Sequence, residues 1–123
     1  MISLQTEVVT RNGNIPLEIS YCDEDPAAVT FTFFSEDKEV QWIFARDLLK
    51  EFLEEGISGE GDVQFLLVEN KVRMNLSSPE GKGYILLEED VIQEFVDFIY
   101  DEVPDGEDDY EWPEYFILEE WSV

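Results

Sequence analysis

No histidine occurs anywhere in the chain, and only seven lysines and arginines face 31 aspartates and glutamates, for a formal net charge of −24 over 123 residues. Without histidine the commonest general base and metal ligand are missing, and every Ser-His or Cys-His nucleophile pair is excluded. Carboxylate pairs arise by chance among so many acids, so none singles itself out for acid-base work, and a non-enzymatic protein without a cofactor is expected. The single cysteine, Cys22, cannot close an internal disulfide and reads as a packing residue at a strand end. No apolar run approaches membrane-spanning length and no signal-peptide pattern opens the chain, which predicts a reduced, soluble, cytoplasmic protein without membrane insertion. The few cations are also unevenly spread, because Lys82 is the last of them. Such a field repels nucleic-acid phosphates and anionic membranes, and it favours a cationic partner, loosely held divalent ions or plain solubility.

Motifs that usually mark nucleotide or metal sites fail on inspection. Asp101 to Trp112 is rich in acids, but Val103, Pro104 and Trp112 stand where a calcium loop needs its third, fourth and twelfth residues. Gly56, Gly59 and Gly61 follow a helical pattern instead of opening one, and Gly81-Lys82 lacks the remainder of a phosphate loop, so both read as turns.

The residues that are present, 44% of them hydrophobic, suffice for one core without disulfides. Leu4, Thr6 and Val8 alternate with polar residues, Asn12-Gly13 is a hairpin signal, and Ile15, Leu17, Ile19 and Tyr21 alternate in turn. Val29, Phe31 and Phe33 predict a third strand and Val40, Trp42 and Phe44 a fourth. The period then changes from two to that of a helix, with Leu48, Leu49, Phe52 and Leu53 on one stripe and Gly56 as its C-cap. Further strands are predicted over 63–68, 72–76 and 84–87, with turns at Glu69-Asn70 and Ser78 to Gly81. A second helix is predicted over 88–101, with Val91, Ile92, Phe95, Val96, Phe98 and Ile99 as its apolar stripe. The fold class is therefore α+β, a mostly antiparallel sheet of about seven strands with two main helices. Residues 1–104 form the expected domain, and 105–123 an acidic, aromatic C-terminal segment.

The strand-to-helix junction carries a resemblance. Trp42-Ile43-Phe44-Ala45-Arg46-Asp47-Leu48-Leu49, then Gly59-Glu60-Gly61-Asp62-Val63, then Leu76-Ser77-Ser78-Pro79-Glu80-Gly81, resemble in order and spacing the SsgA-like sporulation and cell-division proteins of mycelial actinobacteria. The run Tyr21 to Val29 is similar to that family's Y-D-x-x-D-P-x-A-V segment. A Trp-Pro pair commonly follows Gly-Asp-Val in the family, whereas here Gln64-Phe65 follows. The resemblance implies a Whirly-like fold, a homotrimer, and a regulator that helps place or activate the division septum by recruiting the tubulin-like GTPase FtsZ. A partner that is itself acidic, as FtsZ generally is, would need a basic patch, a bridging factor or apolar contacts.

Four residues are the candidates for partner contact: Arg46, charged among large apolar neighbours, and Trp112, Tyr115 and Trp121 in the C-terminal segment. Arg46 either orients the junction through a local ion pair with Asp47 or is kept for a partner. The C-terminal segment either docks as a short helix on its own domain, with Phe116, Ile117 and Leu118 inside, or presents its aromatics as interface anchors. An alternative function is an acidic decoy whose carboxylates stand in for phosphates and occupy a basic protein's nucleic-acid groove. No nucleic-acid binding is expected of the chain itself, since too few cations remain for a basic track.

Overall fold

The computed structural model describes residues 2–104, apart from 12, 36, 37, 60 and 80. The elements run β1 (Ile2–Thr10), β2 (Gly13–Tyr21), β3 (Ala28–Ser35), β4 (Lys38–Ala45), α1 (Asp47–Glu55), β5 (Ile57–Ser58), β6 (Val63–Val68), β7 (Lys71–Ser78), β8 (Gly81–Glu88) and α2 (Glu89–Glu102). All strand pairs are antiparallel, in the order β4-β3-β2-β1-β8-β7-β6-β5, which is the α+β arrangement expected from the short turns. Two four-strand meanders, each ending in a helix, meet where β1 and β8 share the ladder pair Val9 and Leu86. The hairpin predicted near Asn12-Gly13 closes with Thr10 opposite Gly13, while Asn12 itself lies outside the described residues.

The second half gains a strand that the sequence pattern did not predict, because two residues carry no hydrophobic period. Ile57 and Ser58 pair with Leu66 and Phe65 as soon as α1 has stopped. The stop is the expected one: Gly56 takes φ 79, and its N–H donates to the Phe52 carbonyl at 2.7 Å. The Ser58 hydroxyl then donates to the Leu48 carbonyl at 2.6 Å, so this short strand is tied to α1 as well as to β6.

The sheet is strongly curled. Phe31 on β3 and Phe65 on β6 lie five strand intervals apart, about 24 Å on a flat sheet. Their ring centroids are 6.2 Å apart, and Phe44 on edge strand β4 comes within 5.4 Å of Phe65. The two ends of the sheet therefore meet through side chains across the inner face. Phe52 of α1 joins them 6.1 Å from Phe65, so the position that departs from the family pattern sits in the middle of the core.

Helix α2 buries Ile92, Phe95, Val96 and Ile99 against this core. Phe98, predicted to share the stripe, is 53% exposed. At 3.6 residues per turn it points about 110° from the centre of the buried four, so the true stripe is narrower than the predicted one. No helix among the described residues is long and apolar enough to cross a membrane.

Candidate protein-interaction site

Arg46 stands alone between the last residue of β4 and the first of α1, so strand and helix run into one another through it. Its backbone N–H donates to the Ala27 carbonyl at 2.8 Å, which extends the β3–β4 ladder by one bond, and its carbonyl accepts from Leu49 as α1 begins. The chain therefore has to turn at this point, and the turn throws the arginine side chain inward under α2. The residue is fully buried.

An arginine taken out of water forfeits several kcal/mol of hydration and must find partners for five N–H donors. Here the partners are carbonyl oxygens at the end of α2. Nη1 donates to Val103 at 2.7 Å and to Ile99 at 3.4 Å, and Nη2 donates to Pro104 at 3.3 Å. A helix C-terminus exposes carbonyls and carries partial negative charge, and α2 has no basic residue in its last turn. Arg46 supplies that cation from a distant part of the chain. Nη1 also donates to the Tyr21 hydroxyl at 3.4 Å, and that hydroxyl donates in turn to the Pro26 carbonyl at 2.8 Å. The guanidinium lies 3.9 Å from the Tyr100 ring centroid, a cation–π distance, while the Tyr100 hydroxyl donates to the Asp47 carboxylate at 2.9 Å. Arg46 and Asp47, expected as a local pair, thus meet on the same tyrosine.

The geometry holds Arg46 inside, away from the surface that a direct partner contact requires. What it fixes is the exit of the chain, since Val103 and Pro104 are the last described residues before the acidic segment. The other three expected contact residues, Trp112, Tyr115 and Trp121, and the expected C-terminal helix lie outside the described residues. Pro104 opens onto a shallow groove of about 450 Å³ between the helices, lined by Lys50, Val96, Asp97, Tyr100 and Asp101. The sequence marked Arg46 as unusual. Tyr21 and Tyr100 were missed because they are 25 and 54 positions away and only the closed fold brings them to it. Among the described residues no group of three or more Cys, Asp or Glu is placed to hold a metal.

Residues 15–108 match the family described as Streptomyces sporulation and cell division protein, SsgA. A sporulation-specific cell division protein SsgB from Kineococcus radiotolerans is 33% identical over 102 residues, covering 77% of this chain and 61% of that protein. The chain thus spans about three-fifths of that relative's length. The SsgB of Thermobifida fusca is 35% identical over 114 residues, covering 84% of this chain and 80% of the relative. Among solved structures, SsgB of Streptomyces coelicolor, studied for mutations that correlate to longitudinal cell division during sporulation, superposes with a TM-score of 0.77 at 30% identity, over 87% of this chain and 91% of that one.

Proposed function

Since this chain belongs to the SsgA family of sporulation and cell-division proteins, we propose that it helps to position or activate the division septum by binding another protein. The partner in this reading is a component of the FtsZ-based septation machinery, and the chain is drawn from the cytoplasm to the septum by that contact. The observation that carries the reading is the family match over residues 15–108, which spans the strand-to-helix junction and the root of the C-terminal segment. The chain acts as a docking body without catalysis, consistent with a sequence that has no histidine. Residues 1–104 act as the scaffold. Trp112, Tyr115 and Trp121 are its contacts in the segment that follows, and Arg46 is a positioning residue that sets where this segment leaves. Three copies associate in the working form, with apolar surface at the contact and the acids turned outward.

The test is co-purification from the native host with the intact chain and with Trp112→Ala and Trp121→Ala variants. Septation proteins should be recovered with the intact chain and depleted with the variants. Recovery of none at any ionic strength would refute the partner assignment. Capture instead of a basic nucleic-acid-binding protein, released by added DNA and by salt, would favour the acidic-decoy reading that the charge of −24 also allows.

A further inference from the structure

Three of the seven basic residues, Arg11, Arg73 and Lys82, line one open groove of about 590 Å³ together with Gln64, Asn75 and Tyr84. Asp62 is the one acidic residue among the described residues that line it. The gathering follows from register. On β7 the buried Val72 and Met74 alternate with Arg73, Asn75 and Ser77, which therefore share the outer face of the sheet. The β7–β8 hairpin sets Asn75 opposite Tyr84 and Ser77 opposite Lys82, and the β6–β7 ladder sets Gln64 opposite Asn75. Continuing two residues beyond the Val9–Leu86 pair carries Arg11, from the first hairpin, to the side of Tyr84.

Among the described residues no carboxylate pairs with these cations. Arg73 lies 4.0 Å from the Tyr84 ring centroid and its Nε donates to Asn75 Oδ1 at 2.9 Å, which fixes the guanidinium while its two terminal nitrogens have no partner among the described residues. The side chains of Arg11 and Lys82 make no hydrogen bond or ion pair among those residues either. By contrast Lys71, two residues before Arg73 on the same strand, is paired with Glu88. In a chain with more than four acids per base, three cations gathered about one acid among the described lining residues form a local concentration of positive charge, and the complementary occupant is an anion.

We propose that this groove binds an acidic peptide segment of a partner protein. Its carboxylates sit on Arg11, Arg73 and Lys82, its amides on Gln64 and Asn75, and its apolar part on the half-exposed Tyr84 ring. A nucleic acid fits less well, since its phosphates continue at every nucleotide past the three cations and out over a surface of strong negative charge. A peptide with a few carboxylates ends where the groove ends. The assignment rests on the reading of this chain as a protein-binding regulator.

The experiment is fluorescence anisotropy of a fluorescein-labelled peptide of six alternating Asp and Glu residues, titrated with the full chain. Saturable binding that weakens as salt rises is expected. Arg11→Gln, Arg73→Gln and Lys82→Gln should each weaken it about tenfold, the scale of one charge-assisted hydrogen bond. Lys38→Gln and Lys71→Gln change the net charge equally and should leave it within about twofold. Lys82 is exposed at the hairpin end, so Lys82→Gln should melt like the parent and carry the test if Arg73→Gln loses its stacking. Equal weakening by Lys38→Gln, no binding at low salt, displacement by inorganic phosphate as easily as by unlabelled peptide, or tighter binding of oligothymidylate would each overturn the assignment. Capture of septation proteins by a chain that ignores the peptide would sink the groove alone; peptide binding by a chain that captures none would sink the functional reading alone.

Discussion

Single side chains decide how this fold is closed, and Arg46 is the clearest of them. Its guanidinium replaces the missing cation at the end of α2, so its removal strands the carbonyls of Val103 and Pro104, while that of Ile99 keeps the Val103 N–H at 2.9 Å. Arg46→Ala should lower the unfolding free energy by about 2–4 kcal/mol, and Arg46→Lys by roughly half as much, because lysine keeps the charge but loses the planar fork and the contact with Tyr100. Urea denaturation of the two variants against the parent measures this. Glu69 predicts a change of opposite sign. It is the first of two loop residues between β6 and β7 and takes φ 59, a left-handed conformation for a residue with a Cβ. Glu69→Gly relieves about 1–2 kcal/mol of that penalty and returns 0.5–1 to the unfolded chain, leaving a net stabilisation of about 0.5–1 kcal/mol. The same denaturation curves would show a raised midpoint. That Glu69-Asn70 makes a tight turn was legible from sequence; which of the two carries the positive φ was not, since neither is glycine.

Whole elements were legible where a period persisted. The junction around Trp42 and Leu48, the capping glycine at Gly56 and the bounds of α2 all follow from side-chain spacing, which depends only on neighbours along the chain. The spacing could not reveal β5, which exists because β6 offers it an edge, or the exposure of Phe98, which depends on how α2 is rolled against the sheet. The loop after β5 illustrates such a tertiary demand. Gly59 takes φ 84, and a Cβ there would lie 2.3 Å from the Val63 carbonyl oxygen, a backbone atom that cannot swing aside. At Gly56, with φ 79, the same Cβ would meet nothing within 4 Å. Gly59→Ala should therefore cost about 3 kcal/mol and Gly56→Ala only about 1, although the two look alike in sequence. Parallel thermal melts would test the ordering; equal costs would mean that the loop shifts to make room.

For the molecule as a whole, shape comes from curl and behaviour from charge. The aromatic cluster around Phe65 joins strands that are remote in sheet order, and the acidic surface sets which partners can approach. Three copies would bring together 72 formal charges from −24 each, so the proposed trimer should form more readily as salt rises, its like charges being screened over roughly 8 Å at physiological ionic strength. Light scattering at low and high salt should show the increase; dissociation on adding salt would mean that charge pairs hold the copies together. The basic groove responds in the opposite sense, because salt weakens attraction as well as repulsion, so self-association and peptide binding separate in one titration. Arg11 shows why this groove escaped a reading of the sequence. It lies in the first hairpin, 62 positions before Arg73, and reaches the same face only because β1 pairs with β8. The proposed docking onto the septation machinery is open to a single measurement, titration of purified chain against purified FtsZ from the same host. Saturable binding that is reduced in Lys82→Gln and preserved in Lys38→Gln is the predicted result; no binding at any ionic strength would contradict the claim.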